Sequence, residues 1–229
     1  MARLSVIVPA HDAAATLRAC LESVLAQTLP ADEIIVVDDG STDGTAGIAR
    51  SVDPRIVVCT QRHGGAAAAR NEGVRMSSGE LLFFCDADLL LDPRLLEKLG
   101  AALAGHPEAS FAYCGFRWGG KTFGMRAFDA EAVKRNNYIS TMSLIRRGDF
   151  PGFDPSLERF QDWDLWLTMI ARGKKGVGVP EVLFTVQTRG SMSHRGGLSR
   201  LRATRIIRKK HGLRMRFADY LVALKEALS

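Results

Sequence analysis

Through the first half of this chain, short and almost unbroken apolar runs alternate with segments whose apolar residues recur every three or four positions. Leu4-Ser5-Val6-Ile7-Val8 reads as a buried strand, and Leu17, Leu21, Val24 and Leu25, at i, i+4, i+7 and i+8, mark one face of a helix. A second strand is expected over 33–37, and Ser41-Thr42-Asp43 is a cap signal for a helix running to about 51. The order continues with a strand at 55–59, a helix at 66–76, a strand at 81–85, a helix at 93–104 with Pro93 in its first turn, and a fifth strand at 109–116. Such alternation predicts an α/β fold, a Rossmann-like sandwich whose mainly parallel sheet carries helices on both faces.

After Phe116 the rhythm breaks, and the stretch to about Gly148 is rich in Gly, Arg and Asn, with a strand expected at 139–145. A helix is expected near 162–171 and short strands at 177–179 and 182–186. The C-terminus reads as an amphipathic helix with Phe217, Leu221, Leu224 and Leu228 on one face.

With 229 residues, 46% of them hydrophobic and 24% charged, the chain has the material for one substantial core and a tail. Pro9, His11 and Asp12 interrupt the first apolar stretch too early for a signal peptide, and no run approaches the roughly 20 residues needed to span a bilayer. Cys20, Cys59, Cys85 and Cys114 lack CxxC spacing and read as reduced, buried thiols of a cytoplasmic protein. The net charge of +6 is uneven: 189–216 holds ten Arg and Lys and no acidic residue, leaving 21 basic against 25 acidic elsewhere. That tail suits an anionic partner, whether phospholipid head groups, a lipid-linked phosphate or nucleic acid, although a solvated cationic face accounts for it equally well.

Ligands of an open parallel sheet bind beyond the carboxyl ends of its strands. Three strands here end in polar chemistry at that edge: Pro9-Ala10-His11-Asp12, Asp38-Asp39-Gly40-Ser41 and Asp86-Ala87-Asp88. A lone DxD is often only a solvated acidic turn, but two carboxylates one residue apart on extended chain point the same way and repel unless a cation or hydroxyl neutralises them. Asp39 can accept the N–H edge of a nucleobase, the His11 ring can stack on it, Asp86 can accept ribose hydroxyls, and Asp88 can hold Mg²⁺ or Mn²⁺ against a diphosphate. No G-x-G-x-x-G follows the first strand, and no P-loop lysine follows a glycine run.

Ser5-Val6-Ile7-Val8-Pro9-Ala10-His11, Ile35-Val36-Val37-Asp38-Asp39-Gly40-Ser41-Thr42-Asp43, Ala69-Arg70-Asn71-Glu72-Gly73, Asp86-Ala87-Asp88 and Gln161-Asp162-Trp163-Asp164-Leu165-Trp166-Leu167 occur in that order. Together they resemble the motifs of the inverting glycosyltransferases of family two, which have the GT-A fold. The resemblance implies a glycosyltransferase domain over 1–188, with 1–116 binding a nucleoside-diphosphate sugar and 117–188 binding a hydroxyl acceptor, followed by a basic helical tail at 189–229. It implies that Pro9, His11, Asp39 and Asp86 bind the nucleotide and that Asp88 binds the metal. Asp162 would be the general base. Beyond the last core strand, His194 is a candidate metal ligand and Arg195 a candidate phosphate partner.

Asp162 and Asp164 lie about 200° apart around a helix, so only one can face the substrate, and Asp164 is expected to be structural. Two departures from the family pattern stand out: His11 where a Tyr is usual, and Gln161 where a Glu usually precedes the base. A sugar-1-phosphate nucleotidyltransferase would want a Gly-rich basic loop after the first strand, which is absent. A non-catalytic binder of nucleotide sugars or RNA is the remaining alternative, and the tail lacks the interleaved aromatics of single-strand RNA binding.

Overall fold

The computed structural model describes residues 2–187, 197–217 and 219. Strands β1 (Leu4–Ala10), β2 (Glu33–Asp38), β3 (Ile56–Thr60) and β4 (Leu81–Phe84) pair in parallel in the order β3-β2-β1-β4, joined by helices α1 (Leu17–Leu25), α2 (Thr45–Val52) and α3 (Ala66–Met76). The chain continues through β5 (Leu89–Leu91), α4 (Leu95–Gly105), β6 (Ala109–Trp118), β7 (Lys121–Phe123), α5 (Ala130–Arg135), β8 (Leu144–Arg146), α6 (Gln161–Ala171), β9 (Lys175–Val186) and α7 (Gly197–Lys210). The sheet extends from β4 as β8-β6-β9-β5, with β7 paired to β6. Strand β8 runs antiparallel to both its neighbours, so β6 points the same way as β4, and β9 follows β6 in parallel. The expected mainly parallel α/β sheet is therefore present, with one short reversed strand wedged into its middle.

Alternation along the strands builds a core on each face. Val6 and Val8 of β1 pack with Leu17, Leu21, Leu95 and Leu99 of α1 and α4, whereas Ile7 belongs to the other face with Phe84, Phe111, Trp163 and Trp166. Phe111 and Trp166 stack at 4.5 Å between centroids. The four cysteines are free, and all but the half-buried Cys59 are buried.

Several sequence expectations shift. Asp43 accepts from the N–H and Oγ1 of Thr45, the first residue of α2, across Gly44 at φ +87°, but Ser41 and Thr42 do not cap the helix. Instead Ser41 Oγ accepts from the N–H of Asp12, Thr42 N–H donates to Asp12, and Asp43 accepts from Ala14 and Thr45, tying the loops after β1 and β2 together. Pro93 lies outside α4, which begins at Leu95. The strand expected over 139–145 shrinks to β8, because Ser140 and Ser143 bond locally and turn the chain before it. The two short strands near the C-terminus are one bulged strand, β9. Helix α7 lies within the basic helical tail expected at 189–229, and the side chains it buries include Thr204 and Arg208 beside Ile207. Of the amphipathic helix expected at the C-terminus, Phe217 is 78% exposed, and Leu221, Leu224 and Leu228 lie outside the described residues.

Two carboxylates, the half-buried Glu33 and the buried Asp164, fix the architecture away from the carboxyl edge. Glu33, at the start of β2, accepts from Ser5 Oγ of β1 and from the N–H and Oγ of Ser78, and pairs with Arg3. Burial opposes its charge, yet these donors win and lower its carboxyl to about 2. Asp164 of α6 accepts from Lys210 Nζ at 2.9 Å and His211 Nε2 at 2.7 Å, clamping the end of α7. Lys210 also donates to Asp154.

Because the folded value for Glu33 lies below its ordinary 4.5, its stabilisation is present above about pH 4.5 and is lost as pH falls towards 2. Glu33→Gln should cost about 2 kcal/mol at neutral pH and flatten the acid limb of stability, read by urea denaturation at pH 7 and pH 3. Asp164→Asn removes the buried carboxylate that Lys210 and His211 bind and should cost about 2–4 kcal/mol in thermal denaturation, while the fraction still folded keeps its ligand binding.

Candidate active site

Strands β1, β2 and β4 deliver the polar motifs to one edge. The N–H of Asp39 donates to the carbonyl of Ala10 and that of Cys85 to the carbonyl of Ile7, so alternate residues of β1 address β2 and β4. Pro9 addresses the β4 side, where β4 has already ended, and its missing N–H leaves no gap in the ladder. Beyond it Asp12 sits at φ +45°; it and Phe160, at +59°, are the non-glycine residues with positive φ among those described. Both flank this edge, where strained backbone is held by the surrounding hydrogen bonds.

Asp39 is 2% exposed, and its carboxylate is heavily engaged. Oδ1 accepts from Gln61 Nε2 at 2.7 Å and Gly64 N–H at 2.8 Å, and Oδ2 accepts from Gly65 N–H at 2.8 Å and lies 2.9 Å from His63 Nδ1. Gly65 takes φ +86°, so glycine is what lets two consecutive N–H groups converge on one carboxylate before α3. His11 Nδ1 donates to the Asp39 carbonyl at 2.9 Å, and the His11 and His63 rings lie 4.2 Å apart. His11, Asp39 and His63 thus bring three potential metal-ligand atoms within 4.8 Å of one another.

At the end of β4, Asp86 accepts from Arg70 Nη2 at 2.6 Å. Arg70 is carried by α3, which is drawn against β1 at Gly73: a Cβ there would meet Ile7 Cγ2 at 2.4 Å. Asp88 pairs with no cationic side chain among the described residues, and burial, assisted by the Asp86 charge, pushes its carboxyl up to about 6.

Asp162 opens α6 and is half-buried. Its Oδ2 accepts from Asn137 Nδ2 at 2.7 Å, and Oδ1 accepts from the N–H of Trp163. Desolvation raises its carboxyl above the ordinary aspartate range, against the opposing pull of those two donors and of Arg70. The indole N–H groups of Trp163 and Trp166 donate to the carbonyls of Val133 and Ile139, so the core stripe of α6 also anchors the segment that presents Asn137. Asp164 turns to the opposite side, towards α7, as the helical spacing requires.

Arg70 also donates from Nη1 to Gln161 Oε1 at 2.8 Å. It thereby brings the carboxyl edge of the sheet and the start of α6 into one site. Gln61, His63, Arg70, Asn137 and Gln161 were not among the site residues read from the sequence. Their signal was faint, lying only in the Ala69-Arg70-Asn71-Glu72-Gly73 motif and the Gln at 161. His194 and Arg195 lie outside the described residues.

Comparison with known proteins places this geometry. The sequence model "Glycosyl transferase family 2" matches residues 5–157. An uncharacterized glycosyltransferase, YibD, of Escherichia coli K12 is 36% identical over 119 residues, 51% of this chain and 34% of that protein. A PGL/p-HBAD biosynthesis glycosyltransferase of Mycobacterium bovis is 32% identical over 176 residues, 70% of this chain and 66% of that protein. The chain thus spans between a third and two thirds of these relatives. Among solved structures, Staphylococcus aureus TarS with UDP-GlcNAc superposes with a TM-score of 0.74 at 18% identity, covering 99% of this chain and 71% of that one. A Pyrobaculum calidifontis mannosyltransferase with GDP-Man and Mn²⁺ gives 0.72 at 20% identity, covering 99% and 69%. At such identities the superpositions establish the shared GT-A fold, and with the family match they lead to one conclusion: this chain belongs to glycosyl transferase family 2.

Proposed function

We propose that this protein is an inverting glycosyltransferase that moves a sugar from a nucleoside-diphosphate donor to an acceptor hydroxyl, with Asp162 as general base. The observation that carries this reading is the Arg70 bridge, which joins Asp86 at the donor edge to Gln161, the neighbour of Asp162. Asp162 takes the proton from the acceptor oxygen as that oxygen bonds to the anomeric carbon and the bond to the diphosphate oxygen breaks. A single in-line displacement inverts the centre and needs no covalent intermediate. Desolvation suits Asp162 to the task, because a carboxylate with a raised pKa binds the incoming proton better.

On the donor side the base lies against His11 and reaches Asp39 by taking the place of His63, whose side chain is 61% exposed and the most easily displaced of the four donors. Asp86 receives ribose hydroxyls. The complexes of fold relatives with UDP-GlcNAc and GDP-Man support a nucleotide-sugar donor. Asp88, a desolvated carboxylate lacking a cationic partner among the described residues, fits Mg²⁺ or Mn²⁺. When bound, the ion supplies positive charge against the departing diphosphate. The His11, Asp39 and His63 cluster fits a metal less well, since both imidazoles direct Nδ1 at Asp39 oxygens already shared with other donors.

The acceptor meets the irregular segment at 117–154, and a glycan or a lipid-linked hydroxyl compound fits the reading. No described helix is long and apolar enough to cross a membrane. Arg202, Arg205 and Lys209 nevertheless form an exposed row on α7, with Ile206 46% exposed among them. That face supports reversible contact with an anionic bilayer.

Asp162→Asn keeps the shape of the base but cannot take a proton. With Mn²⁺ present it should bind UDP normally in calorimetry while turnover falls about 10²- to 10⁴-fold; undiminished turnover overturns the assignment. In the wild-type protein Mn²⁺ should tighten UDP binding relative to a chelator. The gain should fade as pH drops through about 6 and Asp88 protonates, and be absent in Asp88→Asn.

Co-sedimentation with phosphatidylglycerol vesicles should be appreciable at low salt and lost at high salt, each basic residue near the surface contributing about 1 kcal/mol. Binding that is absent or indifferent to salt rules the membrane face out.

A further inference from the structure

Arg70 is 6% exposed, its guanidinium sits 5.3 Å from the Phe153 ring centroid, and its two hydrogen bonds reach residues 16 and 91 positions along the chain. Its Nε has no hydrogen-bond partner among the described residues. Gln161 is fixed just as firmly: while Oε1 accepts from Arg70, Nε2 donates to the carbonyl of Leu157 at 2.7 Å. Only an amide satisfies both neighbours, for a glutamate at 161 would set a carboxylate oxygen against that carbonyl. The group formed by Asp86, Arg70 and Gln161 is therefore neutral overall, and its cation adjoins Asp162.

We propose that Arg70 is a positioning residue that holds the donor-side carboxylate Asp86 and the base-bearing turn at Gln161-Asp162 in one bridge, and that the uncharged amide of Gln161 leaves the Arg70 charge to act on Asp162. This rests on the reading of Asp162 as the base. The consequence is a coupling between the two halves of the site. When Asp86 draws more of the Arg70 charge, Asp162 becomes more basic; when Asp86 is neutralised, Asp162 becomes less so.

The groups that face Asp162 can be named element by element. Arg70 comes from α3, and the uncharged Asn137 from the segment after α5. On α6 itself, Asp164 is turned away and neutralised by Lys210 and His211. Arg159 and Arg200 lie over the Phe160 ring, on the near side of the turn. Of these, Arg70 is the cation that bears on the Asp162 carboxylate.

The test is a direct titration of the Asp162 side-chain carboxyl by NMR in protein labelled with ¹³C at aspartate Cγ, the resonance being assigned with Asp162→Asn. Gln161→Glu and Arg70→Met should each raise the midpoint by about one pH unit, and Asp86→Asn should lower it. Arg70→Lys keeps the charge but not the two-armed geometry, so the midpoint should stay near wild type while UDP binding with Mn²⁺ weakens. Asp86→Asn introduces no new charge, and it decides the matter if the variants at 70 and 161 fail to fold. A midpoint that does not move in the folded variants overturns the proposal and reduces the bridge to a structural tie. The titration needs no turnover, so an active Asp162→Asn would defeat the assignment of the base separately.

Discussion

Repulsion among carboxylates is the constraint that shapes this molecule's carboxyl edge. Parallel strands bring Asp38 and Asp39 from β2 and Asp86 and Asp88 from β4 to one side of the sheet, with Asp12 in the loop after β1. Each is neutralised differently. Asp38 receives the N–H of Ser41, Asp12 that of Thr42, Asp39 two glycine N–H groups and two side chains, and Asp86 the Arg70 guanidinium. Asp88 is left over, raised to about 6 by desolvation and by Asp86. An uncompensated carboxylate costs stability that a bound cation would recover, so the same repulsion that organises the loops leaves Asp88 as the carboxylate to which the proposed metal is assigned.

The fold was legible wherever burial follows a simple period. β1 through β4 and α3 stand within a residue or two of their expected bounds because each strand is apolar on both faces and each helix on one. Legibility failed where polar side chains do the packing. Helix α7 falls within the expected basic helical tail, but its docking was not readable, because it buries Thr204 and Arg208, the latter donating to the Arg135 carbonyl and pairing with Asp219, and no hydrophobic period announces such packing. Strand β8 was misjudged because residues 139–143 look strand-like but spend their hydrogen-bonding groups on local turns.

In the site, the aspartates were readable from their place at strand ends and from order of motif, whereas the residues that restrain them were not. Gln61, His63 and Arg70 lie 16 to 24 positions from the carboxylates they bind, and Asn137 lies 25 from Asp162. A single sequence carries no signal for pairings of that kind, because a polar residue on a helix or loop is equally consistent with facing water. The capping triplet Ser41-Thr42-Asp43 shows the same limit: Asp43 does reach Thr45 at the start of α2, but Ser41 and Thr42 are engaged with Asp12, and Asp43 also with Ala14, across the site.

The pair Asp162 and Asp164 shows how one helix turn gives one residue type two environments. Their angular separation sends one carboxylate towards Asn137 and Arg70 and the other towards Lys210 and His211. Asp164, itself buried, binds the Lys210 ammonium and the His211 ring, so it serves as an anchor for α7. Asp162 receives neutral donors and only the indirect pull of Arg70, so desolvation prevails and its proton affinity rises. Asp164 is the more deeply buried of the two, but Asp162, denied a full counter-charge, is the one whose surroundings suit the proposed role of base. Chemistry is thus assigned by what surrounds each aspartate, and Trp163 and Trp166, which hold the Asn137 segment through Val133 and Ile139, keep those surroundings in register with the sheet.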